Sequence, residues 1–298
     1  MRITEGRIAS DFLFSVNRTR AKMTQLQTQL ATGKRIQKPS DDPEAADIIM
    51  RLNNSVEKNA QYQKNIADGQ GALEMTASSL DSFATMLSQM QEVLATVNNG
   101  TRTETYGIMA DQIDQMLNQG IATANTQFND KYLFGGTQTQ TPPYALVDNA
   151  TPPPTQTVVY SGNGSSIAYQ IGEGVTQQVN LSGQEAFNGT AIFDKLIQIR
   201  DQLRAGIQPT AADGDAVTTM HTSVLQAAGK VGAFLQNLDN TSSHLDEQRN
   251  QLLSLLSVHQ DTDVAEATMN LKQQELMLNA ALSTGAQILP KSLVDFMT

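Results

Sequence analysis

Three histidines, His221, His244 and His259, and a few acidic pairs are the residues of this 298-residue chain with the side chains for acid–base or metal chemistry. Such chemistry needs the groups to converge on one site. His259 falls in the register of a heptad seam and the other two fall outside it, so the three share no helical face. The pairs Asp41-Asp42 and Asp261 with Asp263 stand at helix starts, where accepting hydrogen bonds from free backbone N–H groups accounts for them. Gly33-Lys34-Arg35 lacks both the upstream glycine and the following Ser or Thr of a phosphate loop. No Asp-x-Asp-x-Asp-Gly calcium loop occurs, and the chain has no cysteine for thiolate catalysis, disulfides or Cys-built metal centres. The sequence therefore predicts no catalytic residue, no cofactor and no metal site.

Charge narrows the partners. With 20 basic and 30 acidic side chains the formal charge is −10, so nucleic acid and anionic membranes are not expected to bind. The charge is uneven. Residues 1–40 hold eight basic side chains against Glu5 and Asp11, whereas residues 261–298 hold Lys272 and Lys291 against five acids. A basic head and an acidic tail attract each other if they lie side by side. The start, Met1 to Arg7, runs into no unbroken apolar stretch of a cleavable secretory signal, and Leu276 to Pro290 is too short and too polar to span a bilayer.

The elements that would position these residues are helices. Positions Leu52, Asn59, Ile66, Leu73, Leu80, Leu87 and Leu94 lie seven apart, as do Val217, Val224, Val231, Leu238, Leu245 and Leu252, the second series with Met220, Ala227, Phe234 and Leu255 three residues on. Heptads sustained this far predict long helices packed along a seam. Asp41-Asp42-Pro43-Glu44 supplies a cap, a first-turn proline and an acid at the positive end of the dipole, so the first long helix should begin there and stop at Asn98-Asn99-Gly100. About 55 residues at 1.5 Å each make a helix of roughly 80 Å.

Between Tyr132 and Gly189 the heptads vanish. Pro142-Pro143 and Pro152-Pro153-Pro154 appear with β-prone runs at 157–160, 167–171 and 175–181, separated by Gly162-Asn163-Gly164 and Gly172-Glu173-Gly174. These predict a small meander of three or more strands. Helix resumes at Ile192, Leu196, Ile199 and Leu203, breaks near 206–214, and runs on to about His259. The expected fold is mainly α with a small β insertion, an elongated rod of long N- and C-terminal helices packed as coiled-coil bundles. Its expected parts are 1–40 with 261–298, 41–131 with 190–260, and 132–189.

Both ends want a helical partner. Phe12, Val16, Thr19, Met23, Leu26 and Leu30 follow the 4-3-4-3-4 spacing of a coiled-coil seam, and Val264, Leu271 and Leu278 continue a heptad with Leu282, Ile288 and Leu289 extending the apolar surface. Asp261-Thr262-Asp263 caps the last helix. One narrow stripe returns little free energy against the entropy of ordering some thirty backbones. The ends are therefore expected to be disordered in the monomer and to fold against each other and against neighbouring subunits.

The stretch Leu30-Ala31-Thr32-Gly33-Lys34-Arg35-Ile36, followed by Pro39-Ser40-Asp41-Asp42-Pro43, resembles the N-terminal signature of the flagellin superfamily. Asp261-Thr262-Asp263-Val264-Ala265-Glu266-Ala267-Thr268 resembles its C-terminal signature. Within the superfamily, the Met1-Arg2-Ile3-Thr4 start, Lys131 to Thr137 with Pro142-Pro143-Tyr144, and the ending Leu289 to Phe296 look most like a subunit of the hook–filament junction.

The resemblance implies a flagellin-like fold whose terminal helices form an inner tube and whose β insertion points outward. It implies export, unfolded, through the flagellar type III channel with a chaperone, and an extracellular place in the flagellum without a cleaved signal. The implied partners are further copies in a ring or short tube, hook-associated protein 1, and flagellin. By matching, Phe12, Val16, Met23, Leu26, Leu30, Val264, Leu271, Leu278, Leu282, Ile288 and Leu289 form the assembly interface. Gly33, Lys34, Arg35, Ile36, Asp41, Asp42, Pro43, Asp261, Thr262 and Asp263 carry the signature. Gln25, Gln27, Gln29, Gln273 and Gln274 offer an uncharged polar surface to the channel or to solvent. Flagellin itself is the alternative from the same superfamily. A type III needle-tip or translocator protein would share the coiled coils but not both terminal signatures.

Overall fold

The computed structural model describes residues 2–98, 103–149 and 155–288. Helix α1 spans Arg2–Thr32, α2 Pro43–Asn98 and α3 Tyr106–Ala124. Six short strands follow: β1 Gln127–Phe128, β2 Lys131–Tyr132, β3 Tyr144–Asn149, β4 Thr155–Tyr160, β5 Ala168–Gly172 and β6 Val175–Gln178. The chain then returns to helix with α4 Gly183–Phe187, α5 Ala191–Arg204, α6 Ala211–Gln260 and α7 Val264–Ile288. It forms two compact units, one of residues 59–247 and one of residues 1–58 with 248–298.

In the 59–247 unit the heptads become a buried seam. Leu73, Leu80 and Leu87 of α2 and Val217, Val224, Val231 and Leu238 of α6 are fully enclosed in one core. Polar pairs along the seam set its direction. Asn59 Nδ2 donates to the Leu245 carbonyl at 2.9 Å, Ser88 Oγ lies 3.4 Å from His221 Nε2, and Gln91 Nε2 donates to Thr218 Oγ1 at 3.2 Å. Position numbers rise along α2 as they fall along α6, so the two helices are antiparallel. The Asn59 that interrupts the leucine series is thus a buried, seam-crossing donor, a device that fixes register.

Helices α3 and α5 pack on each other and share this core. They are joined through Arg200, whose side chain is 3% exposed and meets Asp114 at 2.6 Å, Asp201 at 2.8 Å and Gln156 of β4. Burial works against the charge of Arg200, but the hydrogen bonds of Asp114 and Asp201 outweigh it and hold the guanidinium above its ordinary pKa. A second buried pair starts α6. Asp213 accepts from Lys195 of α5 at 2.6 Å and from the backbone and hydroxyl of Thr210 at 2.7 and 2.8 Å, one half of a capping box with Asp in place of Glu.

The expected single meander is instead three separate two-stranded antiparallel pairs, β1–β2, β3–β4 and β5–β6. The first of them begins at Gln127, ahead of the texture change at Tyr132. Each pair is laid against the helical core rather than against its neighbour: Tyr144 and Val158 of β3–β4, and Ile171 of β5, are buried in the helical core. Side chains make the links that a continuous ladder would have made. Tyr160 Oη donates to the Phe134 carbonyl at 2.9 Å, and Asn163, expected only in a turn, donates through Nδ2 to Thr137 Oγ1 at 2.7 Å. Gly172-Glu173-Gly174 does form the β5–β6 turn, with Gly174 at φ +73°. Phe83, Phe134, Tyr144, Phe187 and Phe193 close this end of the core, with ring centroids 4.6–6.1 Å apart. Burial raises the Tyr144 phenol far above its ordinary pKa.

Candidate assembly interface

The unit of residues 1–58 with 248–298 holds both signature stretches, and it brings them together. Helix α1 ends at Thr32, and Gly33 follows it with a φ of +70° that is open to glycine and strained for other residues. The turn that follows lies antiparallel to the α6–α7 junction. Arg35 N–H donates to the Gln260 carbonyl at 2.7 Å, Thr262 N–H donates to the Gly33 carbonyl at 2.9 Å, and Lys34 pairs with Asp261 in an isolated β-bridge. The Arg35 guanidinium donates to the His259 carbonyl at 3.1 Å and lies 3.7 Å from Asp42.

The acids of the signatures serve backbone N–H groups. Asp41 Oδ2 accepts from Gln37 and Lys38, Asp42 Oδ1 from Ala45 at the start of α2, and Asp263 Oδ1 from Ala265 and Glu266 at the start of α7. Pro43 is the first residue of α2, where its missing N–H leaves no hydrogen bond unmade. Ile36 is 6% exposed in a small cluster with Ala45, Ala46 and Ile49, and Leu256 packs on it. Leu255, the expected companion, is half exposed. The reason is spacing: beyond Leu252 the inward companion falls four residues on rather than three.

Helices α1 and α7 pack along each other. On α1, Val16 and Leu26 are buried, while Phe12, Thr19, Met23 and Leu30 are half-buried. On α7 the covered positions are Ala267, Leu271, Gln274, Leu278, Ala281 and Gly285, again at 4-3-4-3-4 spacing. The Phe12 ring occupies the space a side chain at Gly285 would need, since a Cβ there would lie 2.2 Å from it. Val264 and Leu282 lie off this stripe, 60% and 43% exposed. Ile288 is the last residue of α7, and Leu289, with the rest of the ending, lies outside the described residues. Ala267, Gln274, Ala281 and Gly285 were missed because they are small or polar. Carrying the 4-3 spacing outward from Leu271 and Leu278 would have found them. Gln25, Gln27 and Gln273 are exposed, whereas Gln29 and Gln274 are half-buried and line, with Leu26 and Asn270, a polar gap in the α1–α7 seam.

The two ends of the chain are thus helices that cover each other along one stripe. The clasp between 33–36 and 259–262 holds the end of α1 beside the start of α7, which raises the effective concentration of one helix at the other. What stays uncovered lies off these two stripes. Leu13 and Phe14 of α1 and Met269 and Leu276 of α7 are 57–71% exposed, and Met269 and Leu276 sit seven apart on one side of their helix. Val258 of α6 and Met50 of α2 are similarly open. Among the described residues no His, Asp or Glu cluster could hold a metal ion, and no helix is long and apolar enough to cross a membrane.

Residues 7–139 match the family model of the bacterial flagellin N-terminal helical region. The chain is 23% identical over 298 residues to flagellar hook-associated protein 3 of Escherichia coli K12, an alignment that covers 95% of this chain and 91% of that protein. Two solved structures share the fold. One, from Vibrio parahaemolyticus and assigned as a flagellar hook-associated protein, is 24% identical with a TM-score of 0.63 over 74% of this chain and 99% of its own. The other, Bacillus cereus FlgL, is 20% identical with a TM-score of 0.59 over 70% of this chain and 99% of its own. The chain is thus similar to the bacterial flagellin N-terminal helical region over residues 7–139 and, over most of its length, to flagellar hook-associated protein 3.

Proposed function

We propose that this chain is a non-catalytic structural subunit of the bacterial flagellum that joins hook-associated protein 1, at the hook end, to the flagellin filament. It leaves the cell unfolded through the flagellar type III export system, escorted by an export chaperone, and folds at the growing end. There, copies of the chain form a ring or short tube through α1 and α7, with the strand-bearing part facing outward. The observation that carries this reading is the clasped α1–α7 pair, which covers one stripe of each helix and leaves a second apolar face on α7 open. A tube of such pairs buries those faces between neighbours.

Deleting the gene tests the reading. Loss of a junction subunit leaves hooks intact while flagellin is released into the medium. Loss of a filament subunit would leave hooks with nothing to release, and purified chain would then elongate long filaments from seeds by itself. Either of those results contradicts the junction role.

A further inference from the structure

One cavity of the 59–247 unit takes no part in the assembly reading and is built from three elements. It holds about 200 Å³ between the middle of α2, the β1–β2 hairpin and the β5–β6 hairpin. Glycines on α2 permit the close approach. A Cβ on Gly69 would lie 2.8 Å from Val179, and one on Gly71 would lie 2.8 Å from the Phe128 ring. Two glycines within three residues of a long helix cost roughly 1 kcal/mol each relative to alanine. At the rim, Asn129 and Asp130 hold φ of 50° and 60°, the conformation that the two-residue turn of the β1–β2 hairpin requires.

The lining is unusual for this chain. Phe128, Tyr132 and Tyr169 are three of twelve lining residues, in a protein that is 5% aromatic. Asp68, Asn129 and Lys131 stand beside them. Among the described residues none of these three side chains, and neither phenol, hydrogen-bonds or ion-pairs with another group of the protein. Asn180, deeper in, has its own partners: it accepts from Ile167 N–H at 2.7 Å and donates to the Ser165 carbonyl at 3.3 Å. The deeper wall is therefore fixed while the mouth offers an uncommitted carboxylate, an amide, an ammonium and two phenols.

We propose that this cavity binds a single saccharide ring, a hexose or N-acetylhexosamine unit of a glycan. Its volume is below the roughly 300–1,000 Å³ of sites for drug-sized molecules, which suits one ring rather than an extended chain. The electron-rich faces of Phe128, Tyr132 and Tyr169 match the C–H face of a pyranose, whose hydrogens carry partial positive charge. The mixture of acceptor-only Asp68, donor-only Lys131 and amphoteric amide and phenols matches hydroxyls that both give and take hydrogen bonds. Charge does not select the ligand, because Asp68 and Lys131 are exposed, opposite in sign and screened by solvent. This inference does not depend on the junction role.

The test uses the full chain. Saturation-transfer NMR is run with a panel of methyl glycosides of hexoses and N-acetylhexosamines, with glycine betaine as a zwitterionic comparison, on the parent protein and on Tyr169→Ala and Asp68→Asn. The expected result is binding of at least one glycoside, weakened about tenfold in each variant, with circular dichroism unchanged. If Tyr169→Ala fails to fold, Asp68→Asn, at an exposed helical position, carries the test alone. No glycoside binding, binding of betaine alone, or glycoside binding that the folded variants leave unaltered overturns the proposal.

Discussion

The guanidinium of Arg35 donates to the backbone carbonyl of His259, 224 residues further along the chain, at 3.1 Å. That bond, with the backbone pairing of Gly33 to Thr262 and Arg35 to Gln260 around it, makes one structural piece of the two signature stretches. The motif is therefore a clasp. It sets where α1 leaves and where α7 begins, and so fixes the stagger of the two stripes that must meet.

Arg35→Ala removes the bond to His259 and the contact with Asp42. Because Arg35 is about half exposed, the expected cost is about 1 kcal/mol, felt locally. Hydrogen exchange measured by mass spectrometry is expected to speed up about fivefold in peptides covering 259–268, with the 59–247 core unchanged. Arg35→Lys, which keeps the charge but has no planar fork, is expected to recover only part of the protection.

Phe12 and Gly285 form a lock of large on small. Gly285→Val places a side chain where the Phe12 ring lies, and Phe12→Ala empties the same space. Each single change is expected to loosen the α1–α7 pair by about 1–3 kcal/mol. The double variant should cost clearly less than the two added together, because the new valine fills the space the ring has left. Thermal unfolding of the terminal helices, followed by circular dichroism, measures all three. Strict additivity would mean the two residues do not touch.

Acid should weaken the 59–247 unit through Asp213. Burial opposes its ionisation, but the hydrogen bonds from Lys195 and Thr210 more than offset this and hold the carboxyl below its ordinary pKa of 3.8. A carboxyl held lower in the folded state stabilises the fold above its ordinary pKa, and that contribution is lost as pH falls through the folded value. Asp213→Asn is expected to be less stable than the parent at pH 7, with the gap in urea midpoint closing as pH drops below about 4. Lys195→Met, which strands a buried carboxylate, should cost about 3–5 kcal/mol at pH 7.

The helices were legible because their signals are local and repeated. Pro43 as the first residue of α2, Asp263 as the cap of α7 and the buried leucines seven apart all follow from residues within one or two turns of each other. The separation of the strands into three pairs was not legible, since it depends on which hairpin face the helical core accepts. Nor was Gln274 or Gly285, because a stripe position occupied by a small or polar residue leaves no hydrophobic mark. The clasp itself lay in plain view as two motifs. Their joining needed hydrogen bonds between Arg35 and positions 259 and 260, which no spacing rule predicts.

The central claim is that the open face of α7 is covered only when neighbours assemble around it, and the native absence of cysteine allows a direct measurement. Leu276→Cys places a lone thiol on that face, and Ile108→Cys places one on the exposed side of α3 as a control. Maleimide labelling rates are compared between the purified chain and the chain incorporated in isolated flagella. The account predicts that Leu276→Cys labels at least about tenfold more slowly after incorporation than before it, relative to the control. Equal labelling at position 276 in both states would contradict it.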